Sequence, residues 1–205
     1  MIKDILIFIY FLLISYINGF LALNIINPSL RQKPLFDVGF LLLPQISVLY
    51  PNIMLLSFIG YFILRFNRGK YYSKILKLMI CLCILFTLRA FTFTLTIVPP
   101  TNQNCVSRNV TDGYVWNIFK ELILTEDNSC IDYMFSGHTV YLTLGSLFIF
   151  TYSVYKIEKL ITFLYLNIAI GTIIASRIHY TVDVIIGMSL AMLIFKIFSK
   201  KKVKY

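Results

Sequence analysis

The chain alternates long apolar runs with short polar punctuation. Roughly 20 mainly apolar residues let a helix cross about 30 Å of hydrocarbon. Six stretches meet that length, approximately Ile5 to Ile26, Phe40 to Leu64, Ile75 to Val98, Met134 to Tyr155, Leu160 to Arg177 and His179 to Phe198. Each is predicted to be a membrane-spanning helix. Little chain is left between them, so the expectation is an all-α polytopic membrane protein with a single six-span domain over residues 1–205 and no soluble appendage. The first run is too long for the apolar core of a signal peptide, and no small-residue cleavage site follows it, so it too reads as a span.

Composition supports this pattern. The chain is 59% hydrophobic and 14% charged, against about 25% charged in soluble domains. A soluble fold this apolar would have no surface to offer water. The net charge of +10 would suit a nucleic-acid partner, but its distribution points to topology instead. Cytoplasmic loops are enriched in Lys and Arg. With the N-terminus inside, most of the 19 basic residues fall on the cytoplasmic side: Lys3, the group Arg65, Arg68, Lys70, Lys74 and Lys77, then Lys156 and Lys159, then Lys196 and the Lys200–Lys204 tail. Arg31, Lys33, Arg89, Arg108, Lys120 and Arg177 remain for the outer side and the span ends. Both termini are therefore expected in the cytoplasm, with no nucleic-acid partner. The basic tail can touch anionic lipid headgroups.

Three segments then face outward: Pro28 to Gly39, the long Pro99 to Tyr133 loop, and the turn near Ser176 to Tyr180. The long loop contains Asn109-Val110-Thr111, an N-glycosylation pattern that needs a lumenal site. It also holds Cys105 and Cys130, expected to bridge in an oxidising compartment. Cys81 and Cys83 lie within the third run and read as packing residues.

Two polar groups interrupt the apolar background. Ser136-Gly137-His138-Thr139 opens the fourth span, and His179-Tyr180-Thr181-Val182-Asp183 opens the sixth. They contain the only two histidines of the chain. Between them lies just enough chain for two crossings, so parity puts both imidazoles at one membrane face. His179 and Asp183 have the i, i+4 spacing that shares a helix face. A carboxylate beside one imidazole nitrogen fixes the tautomer and raises the basicity of the other. His179 is therefore the candidate nucleophile, and His138 the candidate general acid. Charge on a phosphoryl group needs donors nearby. Arg177, the Ser136 hydroxyl and the Gly137 backbone are candidates for that role. Arg89 lies within the third span, roughly 14 Å along the helix from Val98. It needs a carboxylate such as Asp183 or Asp37, carbonyls, or a phosphate. Ionisable groups inside spans default to functional roles. A zinc site built from His138, His179, Asp183 and Asp132 is the alternative use of the same residues, without the close ligand pairing zinc sites usually show.

These motifs resemble those of the sphingomyelin synthase family, the ceramide phosphotransferase branch of the lipid phosphate phosphatase superfamily. Pro34-Leu35-Phe36-Asp37 is similar to the family's proline-aspartate block. Residues Arg89 to Pro99 resemble its arginine- and threonine-containing block. Cys130 to Thr139 and His179 to Ile186 resemble its two histidine blocks. The resemblance implies a six-span lipid-phosphatase-like bundle and a triad of His138, His179 and Asp183. It implies no metal, no cofactor is expected, and the candidate substrate contacts are Arg89, Asp132, Ser136, Gly137 and Arg177. It further implies transfer of a phospho-headgroup from a glycerophospholipid to ceramide, releasing diacylglycerol. The site would face the lumen or cell exterior, in Golgi, other endomembrane or plasma membrane. Homo-oligomerisation is left open. The chain departs from the family in its shorter length, in Ile131 where Gly is frequent, and at Gly187-Met188, where a tyrosine is usual. Ser176-Arg177 resembles relatives that use phosphoinositol. Phosphocholine, phosphoethanolamine and phosphoinositol therefore all stay open as headgroups.

Two rivals use the same features. A lipid phosphatase would run the triad with water as acceptor, but its extra basic motif has no good copy here. A transporter or scaffold would place buried charges along a pathway through the bilayer, whereas here they gather toward one face.

Overall fold

The computed structural model describes residues 2–24, 33–67, 69–101 and 134–200. Among these residues every regular element is helical. Backbone polar groups have no water to bond inside a bilayer, and helices satisfy them internally. The elements are α1 (Ile2–Asn24), α2 (Val38–Leu42), α3 (Leu49–Phe66), a 3-10 turn (Gly69–Tyr71) leading into α4 (Tyr72–Leu95), α5 (Gly137–Tyr152), α6 (Lys156–Ala175) and α7 (Thr181–Lys200). Among the described residues five helical stretches are long and apolar enough to cross a membrane: Ile2–Leu21, Leu49–Phe66, Gly69–Leu95, Lys156–Ala175 and Thr181–Phe198. The chain is built as an integral membrane protein.

Helix α5 sits at the centre, against α3, α4, α6 and α7, while α1 lies along α4. Its Val140, Leu142, Leu144, Phe148 and Ile149 are all within 1% of full burial. Small and hydroxylic residues let the neighbours come close, as membrane helix interfaces favour. Gly145 is the clearest case, because the Phe58 ring of α3 occupies the space a Cβ would take.

Two expectations change. The apolar run from Phe40 to Leu64 is not one helix. It divides into short α2 and then α3, with non-helical backbone between them around Pro44. Proline has no N–H to give a helix and disfavours helical geometry in the residue before it. Met134 to Tyr155 yields only the 16 residues of α5, about 24 Å of rise. Ser136 caps its start by accepting the Thr139 N–H, and extended backbone at Ser153 ends it. Length alone therefore supports five crossings.

At the end of α5 farther from the histidines, Glu158 ties the bundle together. It accepts the Tyr61 and Ser153 hydroxyls and a two-pronged Arg65 contact, with Nε at 3.0 Å and Nη2 at 3.3 Å. Cys81 and Cys83 are buried free thiols in α4. Cys105, Cys130, Asn109 and Asp132 lie outside the described residues.

Candidate active site

The site grows from two helix starts. Ser136 ends the approach to α5 and His138 lies in its first turn; His179 and Tyr180 lead into α7, with Asp183 in its first turn. Each approach contains a non-glycine residue with positive φ, Phe135 at 33° and Arg177 at 61°. Such backbone costs about 1–3 kcal/mol and is held only where its surroundings over-determine it. Here it redirects the chain immediately before each histidine.

The two starts are stitched together. The Ser136 N–H donates to the Asp183 carbonyl at 3.2 Å. Gly187, one turn further along α7, lies so near that a Cβ there would sit 3.2 Å from the Ser136 carbonyl oxygen. That contact gives the small residue at this departure from the family pattern a physical role. The His138 and His179 rings face each other with centroids 6.3 Å apart and planes at 63°. The structure thus brings together the two histidines that parity assigned to one face.

Asp183 is 2% exposed and His179 5% exposed. One carboxylate oxygen of Asp183 accepts the Tyr180 N–H at 3.1 Å, half of a capping box that fixes the first turn of α7. Burial foremost, then the Arg89 charge and then His138, hold the His179 pKa well below its usual value.

Arg89, 8% exposed, donates from Nε to the Phe135 carbonyl at 3.1 Å. Its Cζ would lie 3.5 Å from a Cβ on Gly137. Its charge is therefore held at the base of the first histidine turn, where Gly137 leaves it room. Asp37, one of the carboxylates open as a partner for Arg89, is engaged by other donors. Its carboxylate accepts from Thr181 and from the α2 amides of Gly39 and Phe40. Burial pushes its pKa up, but these hydrogen bonds outweigh that and hold it below the usual range. Arg177 turns toward α2, donating to the Phe40 carbonyl at 2.7 Å and lying 4.5 Å over the Phe40 ring. The Ser136 hydroxyl is fully buried and accepts the Thr139 N–H as a helix cap. No three His, Cys, Asp or Glu side chains among the described residues are grouped as a metal would require.

Residues 129–201, which contain both histidines and Asp183, match the family model described as PAP2 superfamily C-terminal. Over 173 residues the chain is 31% identical to phosphatidylcholine:ceramide cholinephosphotransferase 1 of Caenorhabditis elegans, covering 75% of this chain and 37% of that protein. It is 30% identical over 120 residues to a phosphatidylinositol:ceramide inositolphosphotransferase of Leishmania major, covering 56% and 35% respectively. It is 30% identical over 197 residues to the enzyme of that name from Oryza sativa subsp. indica, covering 86% and 59%. The chain is thus similar to ceramide phosphotransferases, and its residues 129–201 to the C-terminal part of the PAP2 superfamily. It spans between about a third and three fifths of the length of these relatives.

One feature of this site was missed from sequence. Asn52 of α3, 7% exposed, holds its Oδ1 2.9 Å from His138 Nε2. An amide oxygen only accepts, so this arrangement puts a ring hydrogen on Nε2. The available signal was a lone Asn one turn inside an apolar helix.

Proposed function

We propose that this protein is a ceramide phosphotransferase that moves a phospho-headgroup from a glycerophospholipid to ceramide. The observation that carries this reading is the facing pair His138 and His179, with Asp183 in the first turn of α7 and the Arg89 charge beneath Gly137. The relatives add the substrate class, since their names pair a phospholipid donor with ceramide.

In this mechanism the neutral His179 imidazole attacks the phosphodiester phosphorus. The P–O bond to diacylglycerol breaks, and His138, which enters the cycle as the imidazolium beside the bound anionic phosphodiester, gives its proton to the departing oxygen and becomes neutral. His138 then takes the proton of the ceramide primary hydroxyl. That oxygen attacks the phosphohistidine, and the P–N bond breaks to return His179. Asp183 orients His179 and balances the positive charge the ring acquires. Arg89, beside Gly137, stabilises charge on the phosphoryl oxygens. One phosphodiester is exchanged for another of similar energy, so no nucleotide is needed.

The same reading makes α5 a sixth crossing, enclosed by its neighbours. Residues 1–205 then act as one catalytic domain with the histidines on the lumenal or exterior side. The protein reconstituted with labelled ceramide and mixed phospholipids, with chelator and without ATP or CTP, should form a labelled phosphosphingolipid. His138→Ala, His179→Ala and Asp183→Asn should each lower that rate at least 100-fold. Release of free phosphate in place of lipid product would assign water as the acceptor. Full activity of His179→Ala would remove the phosphohistidine.

A further inference from the structure

At the start of α7, Asp183 takes the Tyr180 N–H. Tyr180, which precedes the helix, carries no short side-chain acceptor of its own, and the first amides of a helix need one. The acceptor comes from 144 residues earlier in the chain. Asp37 takes the Thr181 N–H on Oδ2 at 2.6 Å and the Thr181 hydroxyl on Oδ1, also at 2.6 Å. The same carboxylate caps α2 through Gly39 N–H at 2.8 Å and Phe40 N–H at 3.3 Å. One side chain therefore joins two helix N-termini, where a negative charge is favoured by both dipoles.

Other contacts close the segment around the turn that carries His179. The Leu35 N–H donates to the Tyr180 hydroxyl at 3.1 Å, and that hydroxyl donates to the Pro99 carbonyl at 3.0 Å. Phe40 stacks on Tyr180 with centroids 5.6 Å apart, and Arg177 reaches the Phe40 carbonyl. Gly39 lets the segment approach: a Cβ there would collide with the Thr181 hydroxyl and lie 2.7 Å from Ile174 Cγ2.

We infer that Asp37 is a positioning residue, which holds the first turn of α7 so that His179 and Asp183 meet His138 in reactive register. It acts through Thr181, two residues from His179 and two from Asp183, and not on the substrate. This inference rests on the transfer reaction proposed above for its kinetic test, but not for its spectroscopic one.

The test uses the full chain in lipid nanodiscs. Asp37→Ala should lower kcat for phosphosphingolipid formation about tenfold or more, with the KM for ceramide changed less than twofold, at a temperature well below its melting point. Asp37→Asn keeps one acceptor oxygen and should fall between wild type and Asp37→Ala. The chain has only two histidines, so ¹⁵N-histidine labelling gives two sets of ring signals, assignable with His138→Gln. Asp37→Ala should shift the His179 set and leave the His138 set in place. Unchanged His179 signals, or an unchanged kcat in an active protein, would overturn the positioning role. Absence of transfer in the wild type, with the His179 shift still present in Asp37→Ala, would overturn the proposed reaction and leave the positioning role standing.

Discussion

His179 and Asn52 show how much a single residue decides here. An imidazole of ordinary pKa is half-protonated near pH 6.5, and as a nucleophile it would lose half its activity there. Burial together with the Arg89 and His138 charges keeps His179 neutral through that pH. The acid limb of the transfer rate should therefore fall well below pH 6.5, as a pH profile of initial rates would show. The sign for stability follows from the same shift. The unfolded ring takes up a proton near 6.5 and the folded ring does not, so the stability contributed by neutral His179 is full above 6.5 and is lost as pH falls below it. Melting temperatures should decline in that direction. An acid limb centred at or above 6.5 would contradict the neutral nucleophile. Asn52 acts on the other ring. Asn52→Leu keeps the bulk but removes the oxygen facing His138 Nε2, and should cost about tenfold in transfer rate, with Asn52→Asp recovering part of it. A rate equal to wild type in Asn52→Leu would deny the amide any part in orienting His138. The histidine pair and Asp183 were legible from sequence because polar residues stand out in apolar runs and helix spacing fixes their faces. Asn52 was not, since its partner lies 86 residues away and no local pattern announces it.

At the scale of elements, the runs around α1, α4, α6 and α7 were read within a few residues, since mean hydropathy over a window tracks membrane-length helices. The split between α2 and α3 escaped that reading. The residues joining them, Leu43 to Val48, are themselves largely apolar, so hydropathy stays high where the backbone turns. Pro44 was the one local hint. The two ends of the bundle also differ in purpose. At the far end, Glu158 of α6 accepts from Tyr61 and Arg65 of α3 and from Ser153 before α6. Removing one member of a partly buried ion pair leaves the other uncompensated. Arg65 keeps 21% of its side-chain surface exposed, so water recovers part of that loss. Glu158→Ala should cost about 2 kcal/mol of stability, read as a lower melting temperature in detergent. Because α5 separates this cluster from the histidines, transfer measured below the melting point should keep its wild-type kcat. A tenfold fall in kcat without a change in melting temperature would instead tie Glu158 to the chemistry.

For the whole molecule, the central question is which side of the membrane each end of the bundle faces. The arrangement of helices makes the histidines and the Glu158 cluster opposite poles: α5 leaves His138 toward Ser153, and α6 returns from Glu158 to Ser176. The basic residues gather at the Glu158 pole, in Arg65, Lys70, Lys74, Lys156 and Lys159. On the topology proposed above, the positive-inside preference puts that pole in the cytoplasm and the histidine pole at the lumen or exterior. Two exposed positions report the poles separately. Phe36, 81% exposed, stands beside Asp37 at the histidine pole, and Val154, 83% exposed, stands in the turn between α5 and α6. In sealed cells, Phe36→Cys should add labelling by an impermeant maleimide beyond that of the parent chain. Val154→Cys should add labelling only after permeabilisation. The histidines would then meet the lipids of the outer or lumenal leaflet, and ceramide would have to reach that leaflet before it could accept a headgroup. The reverse labelling pattern would place the reaction on cytoplasmic lipids and break the link between the basic pole and the cytoplasm.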